Sequence, residues 1–411
     1  MKVNRLYTLL FAVAGLFSFM ACGEDRTHEY LEKTEENQWT FSTMKDVYLW
    51  ADGIKTPERK NFFSTTSKFF NSLLYKNDKA SFFTDSVSDG SYGLAFSLMR
   101  DPLGEKMNRY YALVLYVEPG SPAAMAGIER GMWISAVDGK SLTASNSKVL
   151  LSGGDAKVAT EWIDYNDDDE RYFWVNGDTL SMHASHTFGS QAIYLDSVYN
   201  VREGKLGYMV CSNFNGDSFA NEVQEILLEF AAAEVDEIVV DMRYCDGGTI
   251  ENATALASAL VPASFAGTPF AVLKGKDETA DTIHCFTESP VNMSEKRLFF
   301  IIGNGTKGIA ELLVESVNVS RDMYDVMVLG ANSAGENVMT REFISPYGFS
   351  INPAVALICA PDGEELPPNG IVPDYPLDEL EEVKHIYPLG SEQEYMLRNI
   401  IYLIVNGSLP Q

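Results

Sequence analysis

From residue 205 onward, short blocks of continuous apolar residues alternate with longer stretches whose apolar residues recur every three or four positions. Leu206 to Phe214, Glu237 to Arg243, Arg297 to Gly303 and Tyr324 to Gly330 are blocks of the first kind. They are short and lack polar alternation, as strands buried on both faces do. Asn215 to Ala233, with Phe219, Val223, Ile226, Leu227 and Phe230 on one face, is of the second kind, as are Ile250 to Leu260, Lys307 to Asn318 and Tyr395 to Ile404. These predict amphipathic helices. Strand–helix alternation in turn predicts a mainly parallel sheet with right-handed crossovers. Sites in such sheets gather beyond the carboxyl ends of the strands, here in the loops 243–249, 303–309 and 330–337.

The first half of the chain reads differently. Trp39, Met44, Val47, Tyr48 and Trp50 recur at helical spacing, as do Phe62, Phe63, Phe69, Phe70, Leu73 and Leu74, so residues 37–88 predict a small helical cap. Tyr92 to Leu98 alternates as a strand, and Tyr111 to Val117 is a second. Between Val117 and Gly139, Ser121 can cap a short helix with Pro122 in its first position, Gly127 can end it, and Asp138-Gly139 makes a tight turn. Trp162, Tyr172 to Val175 and Ala192 to Tyr194 predict short linking strands over 156–204.

Composition narrows the function. Of 411 residues, 46% are hydrophobic, enough for more than one core, and 31 basic against 58 acidic residues give a formal net charge of −27. That field repels phosphate backbones, which argues against nucleic acid as a partner. The N-terminus reads as an export signal: Lys2 and Arg5 precede an uncharged run from Leu6 to Met20, too short to span a bilayer comfortably. The run ends in Met20-Ala21-Cys22 and resembles a bacterial lipoprotein cleavage box, which implies a lipid on Cys22. The alternative is a plain secretory signal with an incidental cysteine. Cys211, Cys245, Cys285 and Cys359 show no metal-site spacing, and His183 and His186 have no ligand partners nearby, so no metal and no cofactor is expected.

Two resemblances carry the functional reading. The stretch Ser121-Pro122-Ala123-Ala124-Met125-Ala126-Gly127-Ile128 through Gly139 resembles a PDZ domain. It implies that Tyr92-Gly93-Leu94-Ala95-Phe96 is a carboxylate-binding loop, whose backbone N–H groups hold a peptide's C-terminus while the peptide adds a strand to the sheet edge. Further on come Leu206-Gly207-Tyr208 with Asn213-Phe214, Val240-Asp241-Met242-Arg243-Tyr244 with Gly247-Gly248, Asn304-Gly305-Thr306 with Glu311-Leu312-Leu313, Gly330 with Gly335, and Gly370-Ile371-Val372-Pro373-Asp374. In that order they resemble the carboxyl-terminal processing (tail-specific) serine peptidases. The fold this implies is α/β and multi-domain, with a helical N-terminal cap, a PDZ β-barrel-like domain, and a crotonase/ClpP-like α/β peptidase core holding a mainly parallel sheet. The expected domains are 1–21 signal peptide, 22–36 lipidated tether, 37–88 cap, 89–155 PDZ, 156–204 linking strands, 205–390 core and 391–411 C-terminal helix.

The family uses a serine nucleophile at a helix start and a lysine general base after the next strand. The resemblance places Gly308 where that serine stands and Glu336 where that lysine stands. Glycine has no side chain to attack with, and a glutamate has the wrong charge for the role. No lysine lies between Gly308 and Val383, so no shift of register restores the base. Gly247 and Gly248 are the implied oxyanion backbone, and Asp241 and Arg243 are implied to hold the loop. Cys245 lies in the same loop without a histidine near it in sequence, and Lys307 is expected to face solvent or to pair with Glu311.

The reading is a lipid-anchored cell-envelope protein, a non-catalytic homologue that binds peptide or protein C-terminal segments. Two alternatives stay open: an active serine-type peptidase with an unrecognised catalytic arrangement, and a structural surface lipoprotein. The anchor is testable on its own. Native protein should begin at a lipidated Cys22 and partition into detergent, and Cys22→Ala should move it to the soluble fraction. An unmodified Cys22 in purified native protein would refute the anchor.

Overall fold

The computed structural model describes residues 27–85, 91–106, 108–151, 154–185, 191–202, 204–318 and 326–410. The expected signal segment and Cys22 lie outside them.

The centre is a six-stranded sheet in the order Tyr375–Pro376, Val326–Gly330, Arg297–Ile302, Glu237–Asp241, Gly204–Cys211, Ile193–Val201. All neighbours run parallel except the last pair. The apolar blocks are buried on both faces because successive side chains alternate. Leu298, Phe300 and Ile302 face the helices Phe219–Ala233, Ile250–Leu260 and Ile309–Asn318. Phe299 and Ile301 face the C-terminal helix Tyr395–Asn406, through Met396, Leu397, Ile400 and Leu403.

A second, antiparallel sheet runs Leu94–Arg100, Tyr110–Val117, Trp133–Val137, Asp155–Asn166, Arg171–His183. Here the structure departs from the sequence reading of 156–204 as linking strands. Its first two strands form a long hairpin that completes this sheet, and its third, Ile193–Val201, is the edge of the central sheet. The polar exposed positions of the hairpin hid its length from periodicity. The helix Thr27–Val47 likewise begins inside the stretch read as tether. It packs on Thr66–Leu73 around Met44, Tyr48, Phe69 and Phe70, and strand Phe82–Asp85 pairs with Phe349–Asn352 of the C-terminal half.

The two sheets and the C-terminal segment meet at a buried ionic knot. The Arg243 guanidinium donates to Asp241 (2.6 Å) and Glu394 (2.8 Å), and Tyr208 Oη donates to Asp241 (2.8 Å). Arg130, from the antiparallel sheet's side, donates to Tyr244 Oη (2.6 Å) and Glu379 (3.1 Å). Glu394 also caps the last helix, accepting from the N–H groups of Met396 and Leu397 at 3.0 Å each. Burial pushes the Glu394 carboxyl up, but Arg243 and Arg130 outweigh it and hold the group below its ordinary range.

Removing one member of such a knot strands the others in a dry interior. Arg243→Met should destabilise the protein by about 3–5 kcal/mol, read as a lowered denaturant midpoint. Because the Glu394 pKa is depressed in the folded state, its contribution is present above the unfolded carboxyl pKa and is lost as pH falls through the folded value. An unchanged midpoint in the variant would mean that the knot holds nothing together.

Candidate functional site

Three loops leave the carboxyl ends of neighbouring parallel strands and tie to one another. Thr306 Oγ donates to the Met242 carbonyl (2.7 Å) and accepts from Gly303 N–H (3.0 Å). Lys307 N–H donates to the Cys245 carbonyl (3.0 Å), and Ala334 N–H to that of Thr306 (3.0 Å). From a fourth loop, Phe214 N–H donates to the Gly247 carbonyl (2.7 Å). Gly248 has φ +133°, and a Cβ there would sit 2.6 Å from the Phe214 backbone, so this close approach admits only glycine.

Glu311 closes the arrangement. It is 1% exposed, and its two oxygens take four donors. Oε2 accepts from the N–H groups of Gly308 (2.9 Å) and Glu336 (2.8 Å). Oε1 accepts from Gly335 N–H (2.7 Å) and from the Ser333 hydroxyl. The contact to Gly308, which immediately precedes the Ile309–Asn318 helix, is the reach-back half of a capping box. The other three fix the loop that carries Glu336. One carboxylate therefore positions both Gly308 and Glu336.

These loops enclose a cleft of about 440 Å³. Gly308, Glu336, Gly247, Gly248 and Asp246 line it, with His284 and the edge strand Val338–Thr340 on the far wall. Gly308 and Glu336 do meet: a Cβ at 308 would lie 3.8 Å from the Glu336 carbonyl. Gly308 has φ +52°, a left-handed conformation that costs any other residue about 1–2 kcal/mol. Among the described residues, no protein acceptor takes the N–H of Gly247 or Gly248.

Lys307 departs from expectation. The oxygens of Glu311 are spent on other donors, and the half-buried lysine instead acts electrostatically on Asp246 and Glu336. Burial pushes both carboxyls up; Lys307 pulls both down without overcoming it. Glu118 adds to the upward push on Asp246, while Glu311 and Asp246 add to that on Glu336. Cys245 is buried against the Cys211 thiol, whose ionisation burial suppresses. Asp241 and Arg243 lie in the ionic knot beneath the loop. Tyr92 to Phe96 are elsewhere, at the start of the terminal strand of the antiparallel sheet. There Tyr92 Oη donates to the Gly154 carbonyl (2.7 Å), and Gly93 has φ +70°.

Sequence reasoning missed the clamp, although its three-residue spacing from Gly308 was visible. It also missed Asp246 as a cleft wall, and Arg130, Glu379 and Glu394, which come together only through tertiary folding.

Comparison with known proteins places this arrangement. The model of peptidase family S41 matches residues 205–377, and that of the S41 peptidase N-terminal domain matches 35–92. A Staphylococcus haemolyticus protein named as a CtpA-like serine protease is 21% identical over 303 residues, covering 72% of this chain and 55% of its own. The chain thus spans about half the length of that relative. A solved Bacteroides fragilis structure named as an S41 protease superposes with a TM-score of 0.73 at 23% identity, covering 90% of this chain and 97% of its own. The photosystem II D1 C-terminal processing protease superposes at 0.53 and 17% identity, covering 84% and 93%. At such identities the superpositions speak to fold.

The clamp makes a separate prediction. Glu311→Gln keeps the size but gives an amide that cannot accept all four donors. Hydrogen bonds to a charged group are worth about 1.5–3 kcal/mol each, so a loss of at least about 2 kcal/mol in unfolding free energy is expected. Amide hydrogen exchange at 308 and 335–336 should rise most. Wild-type protection at those amides in the variant would show that the carboxylate is not what holds them.

Proposed function

We propose, on the premise that this chain belongs to peptidase family S41, that it binds extended peptide segments without cleaving them. The observation that carries the reading is the pair of residues held by Glu311. Peptide hydrolysis through a serine needs a hydroxyl and a nearby base able to take its proton. Gly308 supplies no hydroxyl, and the residue facing it across the cleft is an acid. Unspent N–H groups at Gly247 and Gly248 can still hold a peptide carbonyl, but an oxyanion site without a nucleophile completes no acyl transfer.

Two edges favour an extended ligand. Val338–Thr340 ends its sheet along the cleft wall, and Leu94–Arg100 ends the antiparallel sheet. We read the latter sheet as a PDZ domain, with Tyr92 to Phe96 as its carboxylate loop. Leu94, Phe96 and Leu98 are partly buried on the cluster that contains Leu150, leaving apolar surface for a terminal side chain. The helices before residue 85 are read as the cap, and Cys22 as the lipid anchor to a bacterial envelope membrane. Among the described residues no helix is long and apolar enough to cross a membrane.

One experiment tests both halves. The protein is incubated with unfolded substrates and with peptides ending in an apolar residue, as free acid and as amide. The acid should bind more tightly than the amide, mass spectrometry should find no fragments, and serine-directed phosphonates should leave the chain unlabelled. Robust cleavage would end the non-catalytic reading; equal affinity for acid and amide would remove the carboxylate loop.

A further inference from the structure

The cleft differs from a working serine–lysine site in the sign of its charge as well as in its missing hydroxyl. A lysine base brings an amine to the cleft; Glu336 brings a carboxyl to the same wall. Gly308 leaves open the space that a nucleophile's side chain would fill, since a Cβ there meets nothing closer than 3.8 Å. Asp246 stands at the mouth and Glu251 also lines the cleft. Lys307 is the countercharge that acts on Asp246 and Glu336, and it does not offset what burial and the neighbouring acids Glu118 and Glu311 impose.

A cleft of this size, with uncompensated carboxyls beside N–H donors, suits a ligand that carries both a carbonyl and a cation. A metal ion suits it poorly: among the described residues no three His, Cys, Asp or Glu side chains come close enough to hold one. Peptides offer the required combination at every lysine and arginine. The net charge of −27 also steers basic chains toward the protein.

We propose that the cleft selects a lysine or arginine side chain of the bound peptide, its cationic head lying beside Gly308 against Glu336 and Asp246 and its backbone carbonyl on Gly247 and Gly248. The ligand thus supplies the positive charge that the protein's own frame no longer provides. This rests on the peptide-binding reading above and adds to it a preference of residue type.

The test uses the full chain and four extended decapeptides with a common free C-terminus, differing at one central residue: lysine, arginine, norleucine or glutamate. Fluorescence anisotropy should show the basic peptides binding about tenfold tighter than norleucine, as a close charge pair worth about 1.4 kcal/mol would give. Glutamate should be weaker still. The basic advantage should shrink with salt. It should also vanish as pH falls, because the cation needs ionised carboxylates and these protonate at higher pH than ordinary acids. In Glu336→Gln and in Asp246→Asn the lysine-to-norleucine ratio should move toward one. Glu336→Gln leaves untouched the backbone N–H through which Glu311 holds position 336, so it changes charge without loosening the loop. Equal binding of lysine and norleucine peptides, or an undiminished ratio in both variants, overturns the selection while leaving peptide binding in place. If none of the four peptides binds, the peptide-binding reading itself falls, and the selection with it.

Discussion

A single buried carboxylate organises this site. Glu311 has four lone-pair positions and four donors, and those donors come from the start of one helix and from the loop after the next strand. A buried carboxylate that lacked them would be costly enough to unfold the region, so the loops cannot drift apart without exposing or stranding a charge. This explains why the cleft keeps a defined shape although position 308 carries no side chain. What positions Gly308 and Glu336 is the carboxylate between them.

The central sheet was legible because its strands are buried on both faces and so appear as unbroken apolar runs. Ile250–Leu260 falls where the 3.6-residue period puts it. The helix Phe219–Ala233 begins four residues after Asn215, where the period puts its start, since the turn before Phe219 carries no apolar residue to break the pattern. The hairpin of Asp155–Asn166 and Arg171–His183 was illegible for the opposite reason. Much of it is exposed, so polar positions dilute the alternation that marks a strand. Within the site, the positions of Gly308 and Glu336 came from motif order. The true partners of Glu311 did not, because a helix-surface pairing with Lys307 satisfies local spacing just as well. Only tertiary structure shows that Glu311 points inward, which local periodicity does not weigh.

The chemistry of the cleft lining is coherent. Gly308 offers no side chain and Glu336 offers an acid, while Gly248 lets one loop backbone approach another, since a Cβ there would sit 2.6 Å from Phe214. The surroundings have the same sign, with Asp246 adding a second acid to the lining. Scaffold and chemistry have separate sources: backbone hydrogen bonds tie the loops together, and the side chains on them present an acidic surface.

The ionic knot has a consequence for the order in which the molecule is made. Arg130 and Glu394 lie 264 residues apart in the chain, and Arg243 and Glu394 lie 151 apart. During synthesis from the N-terminus, the antiparallel sheet and most of the central sheet emerge while Arg130 and Arg243 still lack the carboxylates of 379 and 394. Two guanidinium groups destined for a dry interior must stay hydrated until the last helix arrives. The sheets can form early, but their final docking waits for residues 379 and 394, and contacts of such long sequence separation form slowly. A chain stalled before residue 379 therefore leaves Arg130 without either carboxylate and Arg243 with Asp241 alone, so the junction between the two sheets is closed by residues made after both sheets' main strands.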